Sequence, residues 1–421
     1  MNNFYRKPEI LSPAGNPEKM HAAVRYGADA VYLAGREFGM RAAADNFSVE
    51  ELAEAASFLH SQGKKMYVTT NTLMRGEEYP AFREFLREME NIRPDGFIIA
   101  DLGVFTEIKE TLPWANLHIS TQASICSPEA ALAWVKLGAS RLVLARELSL
   151  EDIRRIRERL PDEIELEAFV HGSMCVSYSG RCMLSNALTG RDANRGACTQ
   201  PCRWNYTIYE EKRPNTPIPV EQTELGTFIM SSKDMCMINK VGQLAAAGVS
   251  SFKIEGRIKS AYYTAVVSNA YRMAVDALDA FVAAGGNPCE FSSDPALMNE
   301  LESVSHREYA EGFFFEDPMK NPQMVTKPGY VRDKAYLAIA DGDSLSSADG
   351  TVLYGFTQRN KLSVGDGAEM ISPGKTGRAL TVERLFDAEG NEIDCAPHPM
   401  MKFYMPLPFE PLAGDILRAG E

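Results

Sequence analysis

Long apolar runs are missing from these 421 residues. No stretch approaches the roughly 20 apolar residues of a membrane span, and the opening MNNFYRKPEI carries no apolar signal core. A cytoplasmic protein without membrane contact is the expectation. Positive charge is also short: 44 Lys and Arg stand against 57 Asp and Glu, a formal net charge of −13. That balance gives no global pull toward nucleic acid or anionic lipid, so RNA binding requires a local basic patch. Cysteine is sparse at eight residues, too few for a small disulfide scaffold. H-E-x-x-H and G-x-S-x-G are absent, and Pro373-Gly374-Lys375-Thr376 reads as a turn, because Glu369 stands where a Walker loop needs glycine.

What is present is a repeating unit. Short β-rich runs, each followed by a stretch of helical periodicity, begin near Glu9, Ala30, Lys65, Gly96, Leu117, Arg141, Glu165 and Ser250. Eight βα units in series predict a (β/α)8 TIM-like barrel; a doubly wound sheet more often has five or six strands, and the first turn, Ser12-Pro13-Ala14-Gly15-Asn16, lacks G-x-G-x-x-G. Starts are 21 to 35 residues apart through the seventh run, whereas the seventh and eighth are 85 apart. The spacing predicts a barrel over 1–285 with an insertion at about 173–245, on the face where such barrels place active sites. A connecting segment over 286–333 and a small all-β barrel over 334–421 follow, the latter from runs such as KAYLAIADG, TVLYGFTQR and MMKFYMPLP between Gly, Asp and Pro turns.

Alternation sorts the strand residues by face, since side chains facing the helices must be apolar. Leu166, Ala168 and Val170 are assigned outward, leaving Glu167, Phe169 and His171 inside; Phe252 and Ile254 point outward, leaving Lys253 and Glu255 inside. The same rule puts His118, Ser120, Gln122, Thr69 and Asn71 inside. Purely structural barrel interiors are mostly branched and apolar. A polar network that merely closes the barrel is the plain alternative; a pocket for a polar ligand is the stronger reading.

Four of the cysteines fall inside the expected insertion, as Cys175-x6-Cys182-x15-Cys198-x3-Cys202. Four thiolates close a zinc site or hold a [4Fe-4S] cluster. Only the second pair has the close spacing usual for zinc, so the wide first spacing favours a cluster, with zinc as the alternative. A radical-type C-x3-C-x2-C is excluded because Asn205 stands three residues after Cys202. Around them the charge inverts: Arg181, Arg191, Arg195, Arg203, Lys212 and Arg213 outnumber Asp192, Glu210 and Glu211. Cations there offset a thiolate-bound centre and make a local RNA-binding surface, with Trp204 and Tyr206 either shielding the centre or stacking a base.

The segments EAFVHGSMC from Glu167 and GRCMLS from Gly180, with LSPAGNPEKMHAAVRYGADAVYLAG, RGACTQPCRW, MSSKDMCMI and FKIEGRIKSAYY, resemble the collagenase-like peptidase family U32 over essentially the whole chain. The resemblance implies a barrel with a four-cysteine iron–sulfur cluster on Cys175, Cys182, Cys198 and Cys202. Among its subgroups the chain is most similar to those acting in oxygen-independent tRNA hydroxylation, which forms 5-hydroxyuridine at the wobble position with prephenate as co-substrate. A tRNA substrate and, as a further partner, a paralogous subunit are implied with it. On that reading His171, Glu167, Glu255 and Gln122 are the catalytic candidates, and His118, Arg146, Lys253 and Arg257 the substrate-binding ones.

Two other functions stay open. A peptidase would use Cys175 as nucleophile and His171 as base, which leaves three cysteines unexplained. A noncatalytic RNA-binding accessory subunit would use the basic loop alone.

Overall fold

The computed structural model describes residues 4–40, 45–175, 177–204, 208–210, 213–218, 232–316, 330–331, 333–347 and 349–420. Strands β1 (Glu9–Pro13), β2 (Ala30–Leu33), β3 (Lys65–Thr70), β4 (Gly96–Ile99), β5 (Leu117–Ile119), β6 (Arg141–Val143) and β7 (Glu165–Ser173) pair in parallel in chain order. A hairpin of β8 (Ile208–Glu210) and β9 (Arg213–Ile218) stands apart, and β10 (Asp234–Cys236) precedes β11 (Ser251–Ile254). Strand β11 pairs with both β7 and β1 and closes the expected eight-stranded parallel barrel.

Helices α1 (Pro17–Arg25), α2 (Val49–Ser61), α3 (Tyr79–Ile92), α4 (Leu102–Thr111), α5 (Pro128–Leu137) and α6 (Leu150–Arg159) follow the first six strands. The insertion carries α7 (Leu184–Thr189); α8 (Val241–Ala246) and α9 (Ala261–Ala283) complete the ring. Asn16, Ser48, Asp101, Ser127, Ser149 and Ser260 each accept a first-turn backbone N–H at a helix start, supplying partners that the turn itself lacks. Leu166, Ala168, Val170, Phe252, Ile254, Leu117 and Ile119 are buried in the core beneath these helices, on the outward side assigned to them. Each of the larger of these side chains, Ala168 excepted, stabilises the closed barrel by about 1.5–3 kcal/mol.

Strand β7 breaks the alternation. Phe169 lies opposite Lys253, but the next pair is His171 opposite Ile254, a bulge that skips Val170. His171 therefore turns outward with Ile254, which corrects its expected inward direction. It packs among the rings of Tyr263, Tyr271 and Tyr309 at 6.0, 5.6 and 5.3 Å. Gly172 follows at φ 103°, where a Cβ would stand 2.4 Å from the Glu255 carbonyl oxygen, so only glycine fits the crossing. Helix α9 holds this region from behind: the Tyr271 hydroxyl donates to the Val170 carbonyl (2.7 Å) and accepts the Met237 N–H (3.0 Å), and the Tyr263 hydroxyl donates to the Glu255 carbonyl (3.0 Å).

Strand β10 runs antiparallel to the last three residues of β7, so Asp234 to Ala246 already belong to the barrel and the inserted stretch is shorter than the spacing suggested. The expected connecting segment contains α10 (Ala296–Glu302) and β12 (Tyr309–Ala310), the latter added to β10.

Beyond it come β13 (Tyr336–Ser346), β14 (Val352–Gln358), β15 (Leu362–Ser363), β16 (Gly367–Ile371), β17 (Arg378–Thr381), β18 (Leu385–Phe386), β19 (Glu392–Ile393), β20 (Cys395–Ala396), β21 (Lys402–Pro406) and β22 (Ile416–Ala419). Eight of them form an antiparallel sheet with its own apolar core, β15 and β20 pairing separately. Among the described residues the end strands β17 and β19 do not pair, so hydrogen bonds do not close this sheet into the expected small barrel. Asn269 of α9 binds the turn at Gly374 and Lys375 (2.7 and 2.8 Å), and buried Arg418 pairs with Glu300 of α10 (2.8 Å), joining sheet to barrel. No helix among the described residues is long and apolar enough to cross a membrane.

Candidate active site

The barrel interior is polar at both ends. At the N-terminal end of the strands Arg141, 1% exposed, donates to Glu9 (2.7 Å), Glu165 (2.8 Å) and Glu167 (3.1 Å), and to Ser251 and Tyr67 (both 3.3 Å). His118 packs edge-on against Tyr67 at 4.6 Å, its pKa held well below the usual histidine value by burial and then by the Arg141 and Lys253 charges. Glu167 links this layer upward, accepting from Lys253 Nζ at 2.6 Å.

Above it, at the C-terminal ends of the strands, lies a cavity of about 280 Å³, near the lower end of the roughly 300–1,000 Å³ usual for small-molecule sites. Lys253 lines it over the rings of Tyr32 (4.5 Å) and Phe169 (5.5 Å), its pKa drawn down by burial against the pull of Glu167. The Arg257 guanidinium bonds Thr69 (3.1 Å) and Asn46 (2.7 Å); that of Arg146 lies 3.8 Å over the Phe169 ring and donates to the Ser173 carbonyl (2.8 Å). Glu255 accepts from the Tyr32 hydroxyl (3.2 Å) and the Gly256 N–H (3.0 Å). Gln122 Oε1 accepts from Asn71 (2.5 Å) and Ser120 (3.3 Å).

The inserted loop supplies the remaining wall, and Cys175, Cys182, Cys198 and Cys202 all line it. Local bonds shape the loop: Ser185 Oγ accepts the Thr199 N–H (3.1 Å), and Asn194 donates to the Cys182 carbonyl (3.2 Å). Arg195 ties it to the barrel through Glu78 (2.5 and 2.9 Å) and the Leu73 carbonyl (2.6 Å). Burial pushes the Cys202 thiol up; the charges of Cys175, Cys198 and Cys182 push the same way, and Arg203 opposes them. Backbone N–H groups of Leu184 and Gln200 point at Cys182 Sγ (3.5 Å) and Cys198 Sγ (3.4 Å). Four thiols, two of them with an N–H donor at sulfur, suit a thiolate-held cluster. Among the described residues no three His, Cys, Asp or Glu side chains converge on a single metal ion.

The expected residues thus separate. Gln122, Glu255, Arg146, Lys253, Arg257 and the four cysteines meet at the cavity. His118 and Glu167 are buried in the layer beneath it, and His171 faces α9 and β12. The first two sit deeper than alternation can tell, since it gives a side and no height. Lys259 and Tyr330 at the mouth were not anticipated: Lys259 Nζ lies 4.3 Å from the Tyr330 ring centre, and Arg203 donates to the Tyr330 hydroxyl (2.9 Å). Lys259 lies in the turn after β11, beyond the reach of strand alternation, and Tyr330 has no signal either. Of the basic stretch, Arg181 and Arg191 are exposed, while Arg195 and Arg203 are paired within the protein. Trp204 is exposed; Asn205, Tyr206, Glu211 and Lys212 lie outside the described residues.

Comparison with known proteins places this geometry. A model described as Peptidase family U32 matches residues 15–324, and one described as Peptidase family U32 C-terminal domain matches 341–418. The chain is 36% identical over 416 residues to "tRNA hydroxylation protein P1" of Bacillus subtilis, covering 99% of this chain and 96% of that one. It is 38% identical over 270 residues to "23S rRNA 5-hydroxycytidine C2501 synthase" of Escherichia coli, 64% of this chain and 39% of the relative. A "Collagenase" of Porphyromonas gingivalis is 30% identical over 343 residues, 78% of each chain. The barrel after β1, the cysteine loop and most of the C-terminal sheet fall within the matched spans, and the chain belongs to peptidase family U32.

Proposed function

We propose that this protein is a tRNA hydroxylase that forms 5-hydroxyuridine at the wobble position independently of molecular oxygen, with prephenate as co-substrate. In this reading Cys175, Cys182, Cys198 and Cys202 hold a [4Fe-4S] cluster. The observation that carries it is the presence of those four thiols in the wall of the same polar cavity that Gln122, Arg146, Lys253, Glu255 and Arg257 line. The near full-length similarity to a tRNA hydroxylation protein supports the substrate class.

The cluster, when bound, supplies one-electron redox chemistry at the cavity wall. The chain does the rest. Lys253, Arg146 and Arg257 put cationic groups where the carboxylates of prephenate need partners. A base reaches such a cavity only by leaving its stack; Tyr330 and Lys259 on the cavity wall offer a stacking face and a cation, and the same inserted loop exposes Trp204, Arg181 and Arg191 for further bases and phosphates. Glu167 acts as a positioning residue, fixing the Lys253 ammonium from below.

The peptidase alternative draws on the relative named collagenase. It requires a base within reach of Cys175, and the bulge in β7 turns His171 away from the cavity toward α9, with Tyr309 as its hydroxyl neighbour at 3.4 Å. Hydroxylation is the reading that uses all four cysteines.

The deciding experiment is nucleoside mass spectrometry of tRNA from a strain lacking the gene, with iron and sulfide analysis of anaerobically purified protein. Loss of 5-hydroxyuridine, restored by the wild-type gene, and about four irons per chain are expected. Unchanged 5-hydroxyuridine overturns the function, and a colourless protein with one zinc overturns the cofactor.

A further inference from the structure

Gln122 has an arrangement that folding alone does not explain. Its orientation is set by a chain of groups, each leaving the next no choice. The Met40 backbone N–H donates to Asn71 Oδ1 (3.4 Å), which turns the Asn71 amino group toward Gln122 Oε1 (2.5 Å). The Gln122 backbone N–H donates to Ser120 Oγ (3.3 Å), and the Ser120 hydroxyl donates on to the same Oε1 (3.3 Å). With Oε1 occupied twice, the side chain presents only its Nε2 amino group, which is buried and has no acceptor among the described residues. Buried donors left without a partner are uncommon and call for a ligand that completes them.

The position of this donor is equally specific. Gln122 lines the cavity, and Gly180, between Cys175 and Cys182, lies against it: a Cβ on Gly180 would stand 3.2 Å from Gln122 Cβ. The stem of the side chain that carries the unpaired N–H therefore sits where the cysteine loop meets the barrel.

We propose that Gln122 is the residue that selects uracil over cytosine, its Nε2–H donating to the O4 carbonyl of an extruded uridine. This rests on the hydroxylation reading above. Carbon 5 adjoins carbon 4 in the ring, so a base with C5 toward the cysteine loop brings its position-4 substituent to Gln122. Uracil carries an acceptor there and cytosine an amino donor, so a donor that cannot flip accepts one and opposes the other. A relative named for 5-hydroxycytidine shows that the family includes a cytidine-directed protein, so this discrimination has to reside in the chain.

The test uses the full-length, anaerobically prepared protein and an anticodon stem-loop RNA with uridine, cytidine or 4-thiouridine at the wobble position. Wild type is expected to bind the uridine RNA about tenfold more tightly than the cytidine RNA, the usual worth of a base-edge contact. Gln122→Glu replaces donor by acceptor with little change of shape, and is expected to erase or reverse that preference. Ser120→Ala removes one of the two donors that hold Oε1 and is expected to narrow it. Should a variant fold poorly, 4-thiouridine tests the contact on wild type alone, since sulfur is the weaker acceptor and affinity is expected to fall. A wild type indifferent to uridine, cytidine and 4-thiouridine, or a folded Gln122→Glu with the wild-type preference, overturns the proposal and leaves hydroxylation standing. Failure to bind any of the RNAs, with 5-hydroxyuridine unchanged in the deletion strain, overturns both.

Discussion

The two ends of the barrel interior are made of the same kinds of side chain and treat them differently. At the lower end Arg141 shares its guanidinium among Glu9, Glu165 and Glu167. At the upper end the Gln122 amino group stays unpaired, and four thiols face the same cavity. A satisfied network rigidifies, whereas an unsatisfied one has a cost that the folded chain alone does not recover. His118 Nδ1 in the lower layer is also buried without a partner, but it lies outside the cavity, so polarity inside a barrel marks chemistry where an unpaired group lines a cavity.

That contrast breaks most visibly at the cysteines. Cys202→Ser is expected to leave 5-hydroxyuridine at the level of the deletion strain, read by nucleoside mass spectrometry; restoration near wild type would remove the upper end from the chemistry. Arg141→Met strands carboxylates in the interior and is expected to cost about 3–5 kcal/mol of stability in urea unfolding. Gln122→Ala, by contrast, should stay within about 1 kcal/mol of wild type. A cheap Arg141→Met would mean the lower network is no structural plug.

Next in size is an acid-dependent effect at His171. Burial, with lesser contributions from His306 and Lys259, pushes its pKa to about 3, against the opposing charge of Asp234, while the unfolded chain protonates near 6.5. Between those values protons favour the unfolded state, so stability is full above about pH 6.5 and declines as pH falls toward 3. His171→Phe is expected to remove about 2 kcal/mol of the stability lost between pH 7 and pH 5. An unchanged pH profile would place the acid sensitivity elsewhere, with buried His118 the first candidate since its shift has the same direction. Smallest is Arg195→Ala, which releases the loop from Glu78: a stability change under about 1 kcal/mol is expected, with faster amide exchange across 177–204.

Much of this was legible in the chain because the barrel repeats one pattern. Eight β-rich runs, the 85-residue gap between the last two and the crowding of cysteines inside it mark the fold and the cysteine wall of the site. What alternation cannot see is a skipped residue: the bulge at Val170 turned His171 to the far side of its own strand. Nor does it carry height, so His118 and Glu167 were grouped with Lys253 although they belong to the layer below. Strand β22 carries little signal for another reason: it is four residues long with a buried arginine, Arg418, whose partners Glu300 and Glu369 lie far away in sequence. Tyr330 reaches the cavity from a stretch without periodicity.

Helix α9 is gripped on one flank by the C-terminal sheet, through Asn269, and on another it bears on the ends of β7 and β11 through Tyr271 and Tyr263. The sheet is therefore a splint for the strand that leads into the cysteine loop, gripping it at Val170, five residues upstream of Cys175. Cutting the chain before β13 would loosen the footing of the cysteines from behind while leaving every residue of the cavity in place. Damage from such a truncation should register first as a weakened hold on the proposed cluster, with RNA contacts outlasting it.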